Sequence, residues 1–337
     1  MFNSRLITAA GFVDLQVNGF AGVDFNNPAI TMADIARAID AILGTGVTRF
    51  LPTVITGPPG AMAASLRNLR RAQVGLPRGK AIAGFHVEGP HIGAEDGPRG
   101  AHAAHWVRPP DVREFQSWQD ATEGNIRLVT LSPHWEHAPA YISTLTKSGV
   151  TASIGHTGAT AEQITAAVDA GARLSTHLGN AAHATLRRHP NYLWDQLADD
   201  RLSASFIIDG VHLGEAFLRV ALRAKGPEHS ILVTDAAAPA GATPGPYRLG
   251  ELDVELTTDS RVVLKGTNKL AGSALKMNQA LANLIRIGNF TLLEALRTAT
   301  TNPARLIYLP ERDDRVIFRE GDPLQIEEVW LDGEKVV

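Results

Sequence analysis

The feature that most constrains this chain is a repeated alternation of strand-like apolar runs with amphipathic helical patterns. A strand followed by a helix and another strand is typical of a parallel sheet, and eight such units can close into a barrel. A doubly wound open sheet is the main alternative, but the first strand is not followed by a Gly-x-Gly-x-x-Gly phosphate loop. The predicted strands are residues 11–18, 47–55, 81–88, 126–131, 150–155, 173–178, 202–209 and 230–235.

Helical periodicity and capping signals lie between these strands. In residues 33–43, Ile35, Ala38, Ile39 and Ile42 recur at the spacing of one helix face. Thr160 with Gln163, and Thr291 with Glu294, have the spacing of a capping box, which predicts a helix start at each place.

Two stretches depart from the alternation. Residues 240–272 contain alternating segments at 251–256 and 261–264, which predict a β-hairpin inserted after the eighth strand. The tail has two strand-like segments, 327–331 and 334–337, joined by Asp332-Gly333, a favourable hairpin turn.

Composition excludes several classes of protein. The 337 residues carry 32 Lys+Arg and 35 Asp+Glu, a net charge of −3, which argues against a nucleic-acid partner. No stretch approaches the roughly 20 apolar residues of a membrane helix, and no signal peptide is recognised at the start. We therefore expect a cytoplasmic protein with no membrane partner. Because the chain has no cysteine, any metal must be held by histidine, carboxylate or water.

Polar side chains follow several predicted strands at the ends where a parallel barrel builds its active site. Asp14, Gln16 and Asn18 alternate along the first strand, so their side chains share the face toward the barrel interior. The other strands end in His86-Val87-Glu88, Gly155-His156-Thr157, Thr176-His177-Leu178, Asp209-Gly210-Val211-His212 and Val233-Thr234-Asp235. A carboxylate and two imidazoles at neighbouring strand ends suit a three-ligand metal site that leaves a position open for water.

Each of these residues, taken singly, has an ordinary structural interpretation as a hydrogen-bonded strand-end side chain. Glu88 and Asp235 are more informative, because both follow apolar runs where an unpaired carboxylate is costly. The remaining histidines lie in loop or helix-start contexts, and we expect them at the surface: His91, His105, His134, His137, His183 and His229.

The combination of motifs resembles the N-acetylglucosamine-6-phosphate deacetylases of the amidohydrolase superfamily. The resemblance spans about residues 11–305 and runs in the family's order. The segments that carry it are Gly11-Phe12-Val13-Asp14-Leu15-Gln16-Val17-Asn18-Gly19, His86-Val87-Glu88-Gly89-Pro90, Gly155-His156-Thr157, Thr176-His177-Leu178, Asn180-Ala181, Asp209-Gly210-Val211-His212 and Val233-Thr234-Asp235-Ala236.

The resemblance implies a (β/α)8 TIM-like barrel of the metal-dependent hydrolase type with a small, reduced accessory β subdomain. We expect the barrel at residues 11–305, with the hairpin insertion at about 240–272. Residues 1–10 plus 306–337 would form the accessory segment, truncated because family members normally have a longer N-terminal part of a small sandwich. Residues 1–10 or a second chain would then have to cover the open edge of the tail.

The resemblance also implies roles for individual residues. Glu88, His156 and His177 would bind one divalent metal ion, for which zinc is expected and iron, manganese and cobalt are alternatives. Asp235 would be the general base and acid as metal-bound hydroxide attacks the acetamide, and His212 would contact the acyl carbonyl. His102, Asn180 and the backbone of Ala181 would hold the sugar or its phosphate, and Arg188 would reach the phosphate in a neighbouring subunit of a homodimer.

Three functions stay open at this point. The first is deacetylation of an N-acetylamino sugar, most directly N-acetylglucosamine 6-phosphate. The second is deacylation of another N-acyl substrate, such as N-acetylgalactosamine 6-phosphate, an unphosphorylated amino sugar or an N-acyl amino acid. The third is a catalytically silent carbohydrate-binding relative, which is disfavoured because Glu88, His156, His177 and Asp235 are all present.

Overall fold

A computed structural model describes residues 5–337, in which strands and helices alternate along most of the chain. The strands are β1 (Ile7–Ala10), β2 (Phe12–Val17), β3 (Gly19–Phe20), β4 (Val23–Asp24), β5 (Val47–Ile55), β6 (Phe85–Glu88), β7 (Ile126–Leu131), β8 (Thr151–Ile154), β9 (Leu174–Ser175), β10 (Ser203–Phe206), β11 (Ser230–Leu232), β12 (Gly245–Leu249), β13 (Leu252–Leu256), β14 (Val262–Leu264), β15 (Arg315–Arg319), β16 (Gln325–Leu331) and β17 (Glu334–Lys335).

The helix predicted at residues 33–43 is present, and helices begin after Thr160 and Thr291 as the capping signals predicted. The helices are α1 (Met32–Leu43), α2 (Pro59–Gly75), α3 (Val112–Thr122), α4 (Ala138–Lys147), α5 (Ala161–Asp169), α6 (Tyr192–Ala198), α7 (Glu215–His229, interrupted at Gly226), α8 (Met277–Gly288), α9 (Leu292–Thr298) and α10 (Thr301–Leu306). Single 3₁₀ turns occur at Gly79–Ala81 and Ala104–Trp106. Within residues 5–337, no helix combines the length and the apolar character that crossing a membrane requires.

The eight predicted barrel strands are all present and parallel. They lie in the order β2-β5-β6-β7-β8-β9-β10-β11 around a nearly closed barrel. This arrangement confirms the predicted fold class. Several strands are shorter than predicted, and β9 is reduced to Leu174–Ser175, because the chain leaves the sheet early to enter the loops of the barrel mouth.

The barrel closes between β2 and β11 through a few specific contacts rather than a continuous ladder. Val17 and Ala236 form an isolated parallel bridge, and the backbone amide of Asn18 donates to the Ala236 carbonyl at 2.7 Å. Deeper in the seam, the buried Asp14 carboxylate accepts from the Thr234 hydroxyl at 2.6 Å and from the Thr234 amide at 3.3 Å. These contacts fix the segment that carries Asp235.

Apolar periodicity and capping residues in the sequence account for helices α1, α5 and α9. In α1, the predicted face of Ile35, Ala38, Ile39 and Ile42 is buried against the barrel. Burial of an aliphatic side chain of this size contributes about 1.5–3 kcal/mol. The capping boxes at the starts of α5 and α9 are both formed as predicted.

A four-stranded antiparallel sheet, β1-β15-β16-β17, lies beside the barrel. β1 pairs with β15, so residues 7–10 do cover the tail, while residues 1–4 of the predicted accessory segment lie outside the described residues. The sheet packs on the barrel through Phe318, whose ring lies 6.3 Å from that of Phe12. The predicted turn at Asp332-Gly333 joins β16 to β17, but β15 was not foreseen.

The insertion after the eighth strand is larger than the predicted hairpin. It is a three-stranded antiparallel meander, β12-β13-β14, which buries Leu249, Val254, Leu256 and Val262 in a small apolar cluster of its own. The prediction missed β12 because its Gly245-Pro246 start has a turn-like composition. This meander forms part of the wall of the site described next.

Candidate metal and catalytic site

A cavity of about 640 Å³ opens at the carboxyl ends of the barrel strands. Most of the predicted site residues line it: Glu88, His102, His156, His177, Asn180, Ala181, His212 and Asp235. Arg188 does not line this cavity in its own chain; its side chain is exposed in the loop before α6. The structure therefore brings together residues that are up to 147 positions apart, as the distance from Glu88 to Asp235 shows.

Three side chains converge at the floor of the cavity. The Nε2 atoms of His156 and His177 lie 3.1 and 2.9 Å from Oε1 of Glu88, and 3.1 Å from each other. Within residues 5–337, this trio is the group of three whose ligand atoms are close enough to hold a metal ion. All three residues are buried, with exposed fractions of 2% for Glu88, 7% for His156 and 3% for His177.

The chemistry of these donors fits a divalent cation. Nδ1 of His156 lies 2.8 Å from the Pro98 carbonyl oxygen, so Nδ1 carries the hydrogen and the lone pair of Nε2 faces the other two ligands. The carboxylate of Glu88 and the Nε2 atoms of His156 and His177 therefore face one another in a buried space. A nitrogen and oxygen donor set of this kind suits zinc and other transition metals.

Burial and mutual contact shift the pKa values of the trio. Burial alone would raise the pKa of Glu88, but the imidazoles of His156 and His177 beside it outweigh burial and hold that pKa well below its usual range. Burial opposes protonation of His177, yet the hydrogen bond and charge of Glu88 raise its pKa. Glu88 is therefore ionised, as a metal ligand must be.

The backbone is strained where it delivers these side chains. His156, His177 and Asp235 have φ angles of 51°, 30° and 49°, in the left-handed region that non-glycine residues rarely adopt. Each residue lies just beyond the end of a strand, β8, β9 or β11. The positive φ turns the side chain into the cavity, and such strain is a common mark of functional sites.

Asp235 lies beside the trio without belonging to it. Its Oδ1 accepts from the side-chain amide of Asn18 at 2.7 Å. Burial, followed by the negative charge of Glu88, raises the pKa of Asp235 to about 6. A carboxyl group whose pKa lies near neutrality can both accept and return a proton.

The amides of Gln16 and Asn18 bind the two carboxylates of the site. Nε2 of Gln16 donates to Glu88 Oε1 at 2.9 Å, and Asn18 donates to Asp235. Both side chains face the barrel interior, as the alternation along β2 predicted. They act here as hydrogen-bond donors that orient carboxylates.

Two further histidines are oriented by neighbouring side chains. Nδ1 of His212 lies 2.6 Å from Asp209 Oδ2, and Nδ1 of His102 lies 2.7 Å from the Thr56 hydroxyl. Burial and the adjacent His156 lower the pKa of His102 to about 3, so it is neutral. The i,i+3 spacing of Asp209 and His212 is a sequence signal that could have identified Asp209 as the orienting residue.

One histidine prediction was wrong. His91, expected at the surface, is completely buried, with its ring 5.6 Å from that of Trp118 and 5.2 Å from that of Tyr141. Its loop folds inward, and the His91 carbonyl accepts from the Ser132 amide at 2.8 Å. The other five are exposed or half-buried, and none lines the cavity.

Residues of the outer wall were missed by the sequence reasoning. Arg261 comes from the meander, Lys269 from the segment that follows it, and Asp96 from the loop after β6. Lys269 Nζ lies 3.1 Å from Asp96 Oδ1, so this pair joins the segment after the meander to the loop across the cavity wall. A larger cavity of about 710 Å³ shares Ile55 with the first one, but the metal-binding trio does not line it.

Comparison with known proteins agrees with this geometry. Residues 7–312 match the Amidohydrolase family. The N-acetylglucosamine-6-phosphate deacetylase of Danio rerio is 34% identical over 351 residues, which cover 98% of this chain and 84% of that protein. The N-acetylgalactosamine-6-phosphate deacetylase of Shewanella sp. (strain ANA-3) is 33% identical, with coverage of 97% and 80%.

A solved structure shows the same likeness. The N-acetyl-D-glucosamine-6-phosphate deacetylase of Mycobacterium smegmatis, in complex with N-acetyl-D-glucosamine-6-phosphate, superposes with a TM-score of 0.90 at 35% identity. The match covers 98% of this chain and 87% of that one. The chain belongs to the amidohydrolase family, in the group of the N-acetylglucosamine-6-phosphate deacetylases.

Proposed function

We propose that this protein hydrolyses the acetamide of N-acetylglucosamine 6-phosphate to glucosamine 6-phosphate and acetate. The observation that carries the proposal is the convergence of Glu88, His156 and His177 beside the separate carboxyl group of Asp235 in one cavity. The names of relatives at 30–34% identity over nearly the whole chain supply the substrate.

The metal-binding role falls to Glu88, His156 and His177. A divalent ion held by these side chains supplies a Lewis acid for the acetamide carbonyl and makes water a stronger acid. We propose a single ion, with zinc as its identity, because the amides of Gln16 and Asn18 are occupied as donors to Glu88 and Asp235. Neutral amides are also weaker ligands for a transition metal than imidazole.

Asp235 moves the proton. As a carboxylate it accepts a proton from the attacking water while the new carbon–oxygen bond forms at the acyl carbon. As a carboxylic acid it returns that proton to the sugar nitrogen while the carbon–nitrogen bond breaks, because an unprotonated amine is a poor leaving group. Its pKa near 6 suits both directions of transfer.

The other predicted residues hold the substrate. His212, fixed by Asp209, would stabilise the oxyanion that develops on the acyl oxygen. Asn180 lines the cavity, and its buried Nδ2 atom has no partner among the described residues, which leaves it available for a sugar oxygen. His102 and the backbone of Ala181 complete this side of the proposed sugar site.

The proposal includes a homodimer in which Arg188 reaches the phosphate bound by the neighbouring subunit. The exposure of Arg188 outside its own cavity is compatible with that role. A cytoplasmic location also stays a prediction, as does the division into a barrel at residues 11–305 and an accessory segment.

A second candidate substrate is N-acetylgalactosamine 6-phosphate, favoured by the 33% identity with the Shewanella enzyme. A panel of phosphorylated and free N-acetyl hexosamines and one N-acetyl amino acid, assayed for acetate release with metal-reconstituted protein, decides between them. We expect the highest kcat/KM with N-acetylglucosamine 6-phosphate. Faster hydrolysis of an unphosphorylated compound contradicts the proposed substrate, and no acetate from any compound contradicts the reaction.

A further inference from the structure

Arg261 stands out on the wall of the active-site cavity because it carries a buried side-chain donor that no other residue engages. It lies directly before β14 in the meander and lines the same cavity as Glu88 and Asp235. Its Nε atom is buried and has no hydrogen-bond partner among the described residues. A buried donor without an acceptor is unfavourable, so Arg261 is poised for a group that the protein itself does not provide.

The two other cations nearby are engaged by carboxylates at ion-pair distance. Lys269, which lines the same cavity, is paired with Asp96 at 3.1 Å. Arg248, on the same meander, is paired with Asp253 at 3.3 Å and lines the larger cavity instead. The exposed carboxylate of Asp259, two residues before Arg261, accepts from the Thr257 hydroxyl, and that hydrogen bond lowers its pKa more than the charge of Arg261 does.

We propose that Arg261 binds the phosphate of the substrate within its own chain and thereby selects phosphorylated over free N-acetyl hexosamines. This inference rests on the proposed function. The planar guanidinium fork matches two phosphate oxygens, and a buried Nε strengthens such a charge-assisted contact. The acetamide is attached to a ring carbon and the phosphate to the carbon outside the ring, so the phosphate has to reach away from the floor while the acetamide reacts there.

This assignment adds a residue of the same chain to the role expected for Arg188 of a neighbouring subunit. It also explains why the meander lines the cavity at all. The meander contributes none of the reacting groups, yet it places Arg261 on the cavity wall, so its place at the site is explained by substrate recognition.

The test compares Arg261→Gln with Arg248→Gln, which makes the same chemical change on the same meander. Kinetics are measured on N-acetylglucosamine 6-phosphate and on free N-acetylglucosamine, with circular dichroism and metal content as checks on folding. We expect Arg261→Gln to raise KM for the phosphorylated sugar by about 10–100-fold, with kcat nearly unchanged and the free sugar unaffected. Arg248→Gln should match the wild type on both.

A second variant, Arg261→Lys, keeps the charge but loses the fork, and its KM should lie between those of the wild type and Arg261→Gln. The inference is overturned if Arg261→Gln leaves KM for the phosphorylated sugar unchanged, or if it weakens both substrates equally. A wild-type protein that shows no preference for the phosphorylated sugar contradicts the phosphate part of the proposed function instead.

Discussion

The floor of the active-site cavity and its outer wall are built from different kinds of structure. The floor consists of side chains at strand ends, nearly all buried and each fixed by a short hydrogen bond, such as Gln16 to Glu88 and Asn18 to Asp235. The wall comes from loops and the meander, and its side chains are largely exposed, as in Asp96, whose side chain is 83% exposed. On the proposed function, the floor would carry out the reaction and the wall would recognise the substrate.

The largest effect is expected at the floor, from Asp235→Asn. The amide keeps the shape of the side chain but cannot accept and return a proton, so kcat should fall by about 10²–10⁴-fold. The metal content should stay near that of the wild type, since Asp235 lies outside the trio. Steady-state kinetics together with elemental analysis check both expectations, and a variant that retains a tenth of the wild-type kcat would remove Asp235 from the reaction.

Glu88→Gln should separate metal binding from proton transfer. Loss of a residue that only supports a metal ligand typically weakens metal affinity by about 10–100-fold. Loss of the one anionic ligand should weaken it by at least as much. Competition with a chelator measures this affinity. The matched control is Glu95→Gln, a change at an exposed carboxylate paired with His183, which should bind metal as the wild type does. Unchanged affinity in Glu88→Gln would argue against the proposed site.

Asp14, in the seam between β2 and β11 beneath the floor, should make the free energy of unfolding depend on pH. Burial raises its pKa to about 7 from 3.8. A carboxyl group whose folded-state pKa is raised contributes its full stability below the unfolded value and loses it as pH rises through the folded value. Between pH 4 and 7, the free energy of unfolding should therefore fall more in the wild type than in Asp14→Asn, by on the order of a few kcal/mol.

Denaturant titrations at several pH values measure this difference. The control is Asp200→Asn, at an exposed carboxylate, which should keep the wild-type pH dependence. Parallel curves for the wild type and Asp14→Asn would show that the seam between β2 and β11 does not hold a carboxyl group of raised pKa.

The smallest effect is expected at the wall, from Asp96→Asn. The pair with Lys269 is exposed and screened by solvent, so its loss should leave the free energy of unfolding, measured by denaturant titration, close to that of the wild type. The value of kcat should not change, because neither residue belongs to the floor. A loss of kcat similar to that of Asp235→Asn would end the distinction between floor and wall.

The same distinction explains what the sequence could predict. Local periodicity determines strands and helix starts, so all eight barrel strands and the capping boxes of α5 and α9 were predicted. Because parallel strand ends meet at one edge, a carboxylate and two imidazoles were expected close together, while the resemblance to known deacetylases named Glu88, His156 and His177 as the ligands.

The rest depends on long-range packing that no local pattern carries. The burial of His91 depends on α3 and α4, which supply Trp118 and Tyr141. The approach of Arg261 to the site depends on how the meander folds over the barrel mouth. The positive φ angles of His156, His177 and Asp235 are imposed by the surrounding fold against the preference of these residues.

The central claim is that one divalent ion at Glu88, His156 and His177 supports deacetylation with Asp235 as the proton carrier. The most direct measurement is a titration of chelator-treated protein with zinc while acetate release from N-acetylglucosamine 6-phosphate is followed. The account predicts no release without metal and activity that saturates at about one equivalent per chain. Saturation at about two equivalents, or full activity in the metal-free protein, would contradict it.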